Sequence, residues 1–212
     1  MIYRPLRTLI RPLVMLAWRP HVEGAENIPK KGPVLLVANH LANVDSFVLP
    51  IVVPRKMRFI IKADYWHQTG FTARIKRWFF EETGSVPVER GTVKSAKKSL
   101  EAALQILNEG GVFNVYPEGT RSKDGKLHAG KQGAAWLAQM SGAPVVPVGL
   151  IGTERLFVKG SKRPRFHRFT VKFGHPIDFS DLDEVRGDAA RRLQMTERIM
   201  QEIQTLTEQE RA

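Results

Sequence analysis

Short apolar runs alternate along this chain with longer amphipathic stretches, and the two periods separate cleanly. Residues 32–39, GPVLLVAN, form an apolar run opened by Gly-Pro and closed by Asn, the pattern of a buried strand. VDSFVLPIVV (44–53) then predicts a short helix with Asp45 near its start, where a carboxylate suits the helix dipole. MRFIIKA (57–63) predicts a second strand. Within DYWHQTGFTARIKRWFF (64–80), Phe71, Ile75, Trp78 and Phe79 fall near helical spacing beside Arg74, Lys76 and Arg77. GSVPVERG (84–91) predicts a short strand ending in a charged turn, and TVKSAKKSLEAALQILNEGG (92–111) a helix with Thr92 as N-cap and a Gly-Gly stop. VFNVYPEGT (112–120) is a further apolar run broken at Pro117. GKQGAAWLAQMSGA (130–143) predicts a small-residue helix, PVVPVGLIGT (144–153) and FHRFTVKFGHPI (166–177) two more strands, and residues 182–210 a polar C-terminal helix. Strands alternating with helices predict a single α/β domain, with a largely parallel central sheet covered by helices on both faces.

Composition narrows the chemistry. The 212 residues suffice for one domain with a substantial core. Cysteine is absent, which excludes disulfides, thiolate metal sites and a cysteine nucleophile. The six His are scattered without metal-ligand spacing, and neither a metal nor a resident cofactor is expected. Lys and Arg number 33 against 21 Asp and Glu, a formal charge of +12 that favours anionic partners.

The first 24 residues carry Arg4, Arg7, Arg11 and Arg19 among Ile2, Leu6, Leu9, Leu13, Leu16 and Trp18. Such a segment lacks the roughly 20 uncharged apolar residues of a membrane span, and no small-residue cleavage site follows Trp18. Its mix of arginines and apolar residues suits a membrane interface with anionic headgroups, or packing on the domain as an ordinary amphipathic helix. The sequence thus divides into an amphipathic, membrane-associating segment (1–24) and an α/β domain (25–212).

Candidate chemistry gathers behind the apolar runs, where the loops of a parallel sheet meet at one edge. His40 follows the first, Arg90 the SVPV run, and Glu118 and Arg121 the VFNVYP run. An imidazole titrates near neutral pH and can take a proton from a hydroxyl as that hydroxyl attacks a carbonyl. Asp45, five positions on, is placed to bond the other ring nitrogen and fix the tautomer, so the nucleophile can be the substrate's own hydroxyl. Gly119 allows close approach of backbone to a ligand, and the guanidinium forks of Arg90 and Arg121 suit a phosphate. Alone, a His after a strand or an EGTR turn reads as local structure; together the residues describe a site.

These residues stand in a recognisable order. Asn39, His40 and Asp45 match an NH-four-residues-D motif; GSVPVER (84–90) matches a Gly-led strand ending in Arg; residues 117–121 match a Pro-Glu-Gly-Thr-Arg block; and APVVPVGLIGT (143–153) matches an apolar segment centred on a proline, here Pro147. The sequence resembles the glycerolipid acyltransferase family, which includes lysophosphatidic acid and glycerol-3-phosphate acyltransferases. It departs from the second motif in carrying Pro87 and Val88 where Phe-Ile is common. The resemblance implies His40 as general base and Asp45 as its orienter. It implies Arg90, Glu118, Gly119, Thr120 and Arg121 as the binding set for a phosphate-bearing acceptor, with Val88 and Pro147 in the pocket wall.

The expected reaction is transfer of an acyl group from acyl-CoA or acyl-carrier protein to lysophosphatidic acid, giving phosphatidic acid. It is expected at the cytoplasmic face of the membrane, by a peripherally bound protein in contact with anionic lipid. Glycerol-3-phosphate, another lysophospholipid or a glycolipid is the alternative acceptor. A basic module that coats membranes or nucleic acid is the non-enzymatic alternative, but the chain carries no recognisable nucleic-acid-binding motif and nucleic acid is not expected as a partner.

Overall fold

A computed structural model describes residue 8 and residues 10–63, 69–88, 93–157 and 163–212 of the chain. Helix α1 (Arg11–Trp18) leads into β1 (His21–Glu23); β2 (Val34–Ala38), α2 (Asp45–Val52), β3 (Met57–Lys62), α3 (Phe71–Thr83), β4 (Val86–Val88) and α4 (Val93–Asn108) follow in turn. β5 (Val112–Val115), α5 (Gly133–Ser141), β6 (Val145–Ile151), β7 (Thr170–Phe173) and α6 (Asp188–Thr207) complete the domain. The strands form one seven-stranded sheet in the order β1-β7-β6-β2-β5-β3-β4. Every neighbouring pair is parallel except β6 with β7. The α/β architecture expected from the alternating pattern is the one observed.

The all-apolar strands follow from burial on both faces. Val34, Leu36 and Ala38 of β2 enter one core with Phe59 of β3, Val48 and Leu49 of α2, and Phe79 and Phe80 of α3. The alternate residues Leu35 and Val37 enter a second core with Leu107 of α4, Leu137 of α5 and Ile199 and Ile203 of α6. Period-two alternation feeds both faces, so neither set can become polar without loss of a core.

Three elements differ from the sequence pattern. β1 is too short, at three residues, to show a period, and it exists because it pairs in parallel with Thr170–Lys172 at the sheet edge. The 166–177 run contributes only Thr170–Phe173 to the sheet. The C-terminal helix begins at Asp188 rather than 182, because Asp178 accepts the Ser180 amide at 2.9 Å and residues Ser180–Leu182 take a 3-10 turn. The Thr92 cap lies outside the described residues.

α6 approaches β6 closely because Gly149 has no side chain. A Cβ there would stand 2.9 Å from Leu206 Cβ and 3.1 Å from Thr207 Cγ2. Gly149→Ala should therefore cost about 1–3 kcal/mol through overpacking. Urea unfolding should show a lowered midpoint at unchanged slope; a wild-type midpoint would show that the helix can yield.

Among the described residues no helix is long and apolar enough to cross a membrane. α1 lays Trp18 against the first core, as does Ile10 just before it, and leaves Leu13 and Leu16 exposed. The Trp18 indole donates to the Arg165 carbonyl at 2.8 Å, tying the helix to the loop before β7.

Candidate active site

β2 and β5 are parallel neighbours in which Val37 pairs with Val115. His40 and Glu118 each lie three residues beyond that pair, so the register alone delivers both to the same edge of the sheet. Two backbone links lock the loops together. The His40 amide donates to Glu118 Oε1 at 3.0 Å, and the Ser122 amide donates to the His40 carbonyl at 2.8 Å.

The His40–Asp45 pair has the geometry expected of it. His40 Nδ1 lies 2.9 Å from Asp45 Oδ2, and the Asp45 side chain is fully buried. The same Oδ2 accepts the amides of Leu41 and Ala42, each at 2.8 Å. The five-residue spacing works because these donors curl the chain between β2 and α2 around the carboxylate, which then sits in the first turn of α2 and faces back to the ring. With Nδ1 held by a carboxylate, Nδ1 carries the proton in the neutral tautomer and Nε2 is the nitrogen able to accept another.

Asn39 anchors this arrangement from below. Its amide spans to β6, receiving the Leu150 N–H at 2.7 Å and donating to the Leu150 carbonyl at 2.9 Å, and it donates to Gln209 Oε1 at 2.7 Å. The buried amide thereby ties the end of β2 to β6 and to the C-terminal tail.

The Glu118 carboxylate is buried and both its oxygens are engaged by backbone, Oε1 by His40 and Oε2 by the His128 amide at 3.1 Å. Its observed contacts are those of a clamp between two loops. Gly119 has φ of 73°, the left-handed region, and a Cβ there would lie 2.9 Å from Lys131 Nζ. Glycine is thus favoured by the turn, whereas the lysine end could move aside for a side chain. Asp124 closes the far side of the loop, within hydrogen-bond distance of His128 Nε2 (2.9 Å), Ser122 Oγ (3.0 Å) and the Lys126 amide (3.1 Å).

The hydrogen bonds from His128 and the Lys126 amide pull the Asp124 carboxyl down to about 2. A depressed carboxyl stabilises the fold above its ordinary value of about 4 and loses that contribution as pH falls through the folded value. Carbon-detected NMR titration should therefore find Asp124 ionised down to about pH 2. A midpoint at the ordinary carboxylate value would contradict this network.

A cavity of about 470 Å³ opens beside His40. Lys76, Arg121 and Lys123 supply cations to its lining, and among the described residues no Asp or Glu lines it. Phe47, Ile60, Ile61 and Phe80 supply apolar groups, while Asn43, Ser46, Thr120 and Ser122 add polar ones. The lining thus combines groups that favour an anion with groups that favour hydrocarbon, and the imidazole is among them. Among the described residues no group of three or more His, Asp or Glu converges to hold a metal ion.

Of the residues singled out in the sequence, His40, Asp45, Glu118, Gly119, Thr120 and Arg121 come together here. Arg90 lies outside the described residues. Val88 ends β4, pairing with Lys62. Pro147 does not line the cavity. It pairs with Val37 in mid-sheet and packs against Gly174, on the α6 side, because alternation along β6 sends Val146 and Val148 to the cavity side instead. Lys76 was not singled out for the site. Its signal was the four-residue step to Phe80, which puts both on one face of α3.

Sequence reasoning also passed over Tyr116. Its ring stacks on the His40 imidazole at a centroid separation of 3.9 Å and an interplanar angle of 12°. Burial, and then the charge of Asp45, push its phenol well above the usual range. The hydroxyl sits near Ser46 and Asn114 with no partner of ordinary hydrogen-bond geometry among the described residues.

The chain is similar to several known proteins. The Acyltransferase family profile matches residues 19–151. The chain is 32% identical over 179 residues to a chloroplastic 1-acyl-sn-glycerol-3-phosphate acyltransferase of Arabidopsis thaliana, covering 83% of this chain and 48% of that protein. It is 30% identical over 140 residues to a 1-acyl-sn-glycerol-3-phosphate acyltransferase of Borreliella burgdorferi, covering 65% of this chain and 53% of that protein. The chain therefore spans about half the length of these curated relatives. The crystal structure of the 1-acyl-sn-glycerophosphate acyltransferase PlsC from Thermotoga maritima superposes with a TM-score of 0.68 at 25% identity, over 97% of this chain and 80% of that one. By the family profile that spans β1 to β6 and by its likeness to these relatives, the chain belongs to the acyltransferase family.

Proposed function

We propose that this protein transfers a fatty acyl group from an acyl thioester to the free hydroxyl of 1-acylglycerol-3-phosphate, giving phosphatidic acid for phospholipid synthesis. The observation that carries the reading is the Asp45-held His40 imidazole in the lining of a cavity that also carries cations and apolar side chains. That is the combination a phosphate-bearing, acylated acceptor requires. His40 Nε2 takes the hydroxyl proton, the hydroxyl oxygen bonds to the thioester carbonyl carbon, and the thiolate leaves as the carbonyl re-forms. Asp45 stabilises the imidazolium, which then returns its proton to the departing sulfur. Arg121 and Arg90 attract the acceptor phosphate. A thioester already has a good leaving group, so a positioned base and an oriented acceptor supply most of what the step needs.

The exposed Leu13 and Leu16 of α1, together with the arginines around them, support peripheral attachment at the cytoplasmic face of a membrane, where thioester donors are available. Acyl-CoA and acyl-carrier protein both present the same reacting carbonyl. The test is a panel of acceptors (lysophosphatidic acid, glycerol-3-phosphate and lysophosphatidylcholine) with one labelled long-chain acyl-CoA and, in parallel, the same acyl group on carrier protein. Labelled phosphatidic acid from the first acceptor is expected. Turnover confined to another acceptor would reassign the substrate, and no turnover with any pairing would sink the reading.

A further inference from the structure

We propose that Tyr116 is a positioning residue for proton transfer at His40, acting through its ring: the aryl face held flat against the imidazole fixes the plane of the base and stabilises the cation it becomes. The inference rests on the reading of His40 as the general base.

The geometry sets the argument. Two nearly parallel rings with centroids 3.9 Å apart are in van der Waals contact over most of their faces. Rotation of the imidazole about its Cβ–Cγ bond would drive a ring edge into the phenyl face. Asp45 alone holds one atom of the imidazole, Nδ1; the stacked ring adds the second constraint that a plane needs. Nε2 is thereby aimed without a hydrogen bond of its own among the described residues, which leaves it available to the substrate hydroxyl.

The stack also discriminates between the two charge states. An aromatic face carries negative quadrupole density, so the imidazolium formed on proton uptake gains more from the contact than the neutral ring does. Such a contact shifts an equilibrium by from about 2-fold at an exposed site to about 30-fold at a desolvated one. Tyr116 follows β5 in the alternation Val112, Asn114, Tyr116, so strand register holds its ring against the site. The phenol stays protonated and does not compete as a base, because its burial and the nearby Asp45 charge oppose ionisation. Among the described residues, the other charged or titratable groups around His40 are Asp45 in α2, Glu118, Arg121 and Lys123 in the loop after β5, and Lys76 in α3. None of them changes in the variants below.

The experiment compares wild type with Tyr116→Phe, Tyr116→Leu and pentafluorophenylalanine at position 116, measuring kcat, KM for donor and acceptor, and the pH dependence of kcat. Tyr116→Phe keeps the ring and should stay within about threefold of wild type. Tyr116→Leu should lose about 10- to 100-fold in kcat with both KM values nearly unchanged. Loss of the stack disfavours the imidazolium, so the base remains unprotonated to lower pH and the acidic limb of the profile moves down. The fluorinated ring keeps the shape while reversing the quadrupole, and should reproduce the shift of the limb even if Tyr116→Leu does not fold.

A wild-type kcat and limb in Tyr116→Leu or in the fluorinated protein would overturn the proposal. So would a loss in Tyr116→Phe equal to that in Tyr116→Leu, since the hydroxyl would then be the acting group. His40→Ala run alongside separates the two levels. If it retains turnover, the role of His40 fails; if it is inactive while the Tyr116 series is indifferent, only the present inference fails.

Discussion

Replacing His40 by alanine should lower turnover by about 10²- to 10⁴-fold, the usual contribution of a positioned general base, while the protein stays folded. The two parts of this expectation have separate causes. Activity falls because, in the proposed reaction, nothing else among the described residues of the cavity lining can take a proton near neutral pH: their remaining polar groups are amides, hydroxyls and the cations Lys76, Arg121 and Lys123. The fold persists because Asp45 keeps its amide donors from Leu41 and Ala42, so the buried carboxylate is not left unpartnered, and the backbone of residue 40 keeps its links to Glu118 and Ser122. Product formation from labelled acyl-CoA, measured beside thermal unfolding, checks both. Substantial turnover in a well-folded variant would remove His40 from the mechanism.

Changing Glu118 should give a different signature. Glu118→Gln puts an amide NH₂ against one of two backbone N–H donors, and Glu118→Ala leaves both the His40 and His128 amides without their acceptor. Unsatisfied donors of this kind cost about 1–3 kcal/mol. For a chain of this size the cost corresponds to a fall of roughly 3–10 °C in the melting temperature. The same change releases the backbone of His40, and a displacement near 1 Å at a reacting group can cost about 10²-fold in rate. The expected result is therefore a lowered kcat together with lowered stability, at nearly constant KM for the acceptor. A raised acceptor KM at unchanged melting temperature would instead assign Glu118 to direct contact with substrate, the role the family resemblance implies.

The contrast between these two residues shows how far the sequence could be read. His40 and Asp45 were legible because their partnership is local: five residues and one turn connect them, and the carboxylate is satisfied by amides within the same turn. Glu118 was legible as a member of the site but not as a clamp. Its partners, His40 and His128, lie 78 and 10 residues away, and only the parallel pairing of β2 with β5 sets it beside His40. Pro147 shows the opposite case. Its place in an apolar motif suggested a pocket wall, yet alternation along β6 turns it to the α6 side, and which face carries the cavity is a property of the assembled sheet.

By itself, then, the sequence determined the α/β class, the location of most strands, the edge at which the polar residues gather, and the identity of the histidine and aspartate. These follow from periodicity, turn chemistry and short-range hydrogen bonding, all of which act within about ten residues. Tertiary structure alone decided the strand order, the antiparallel β7, the three-residue β1, the stacking of Tyr116 on His40 and the approach of Lys76 to the cavity. Each depends on contacts between segments far apart in the chain, and the register that brings them together is fixed by burying apolar residues on both faces of the sheet at once.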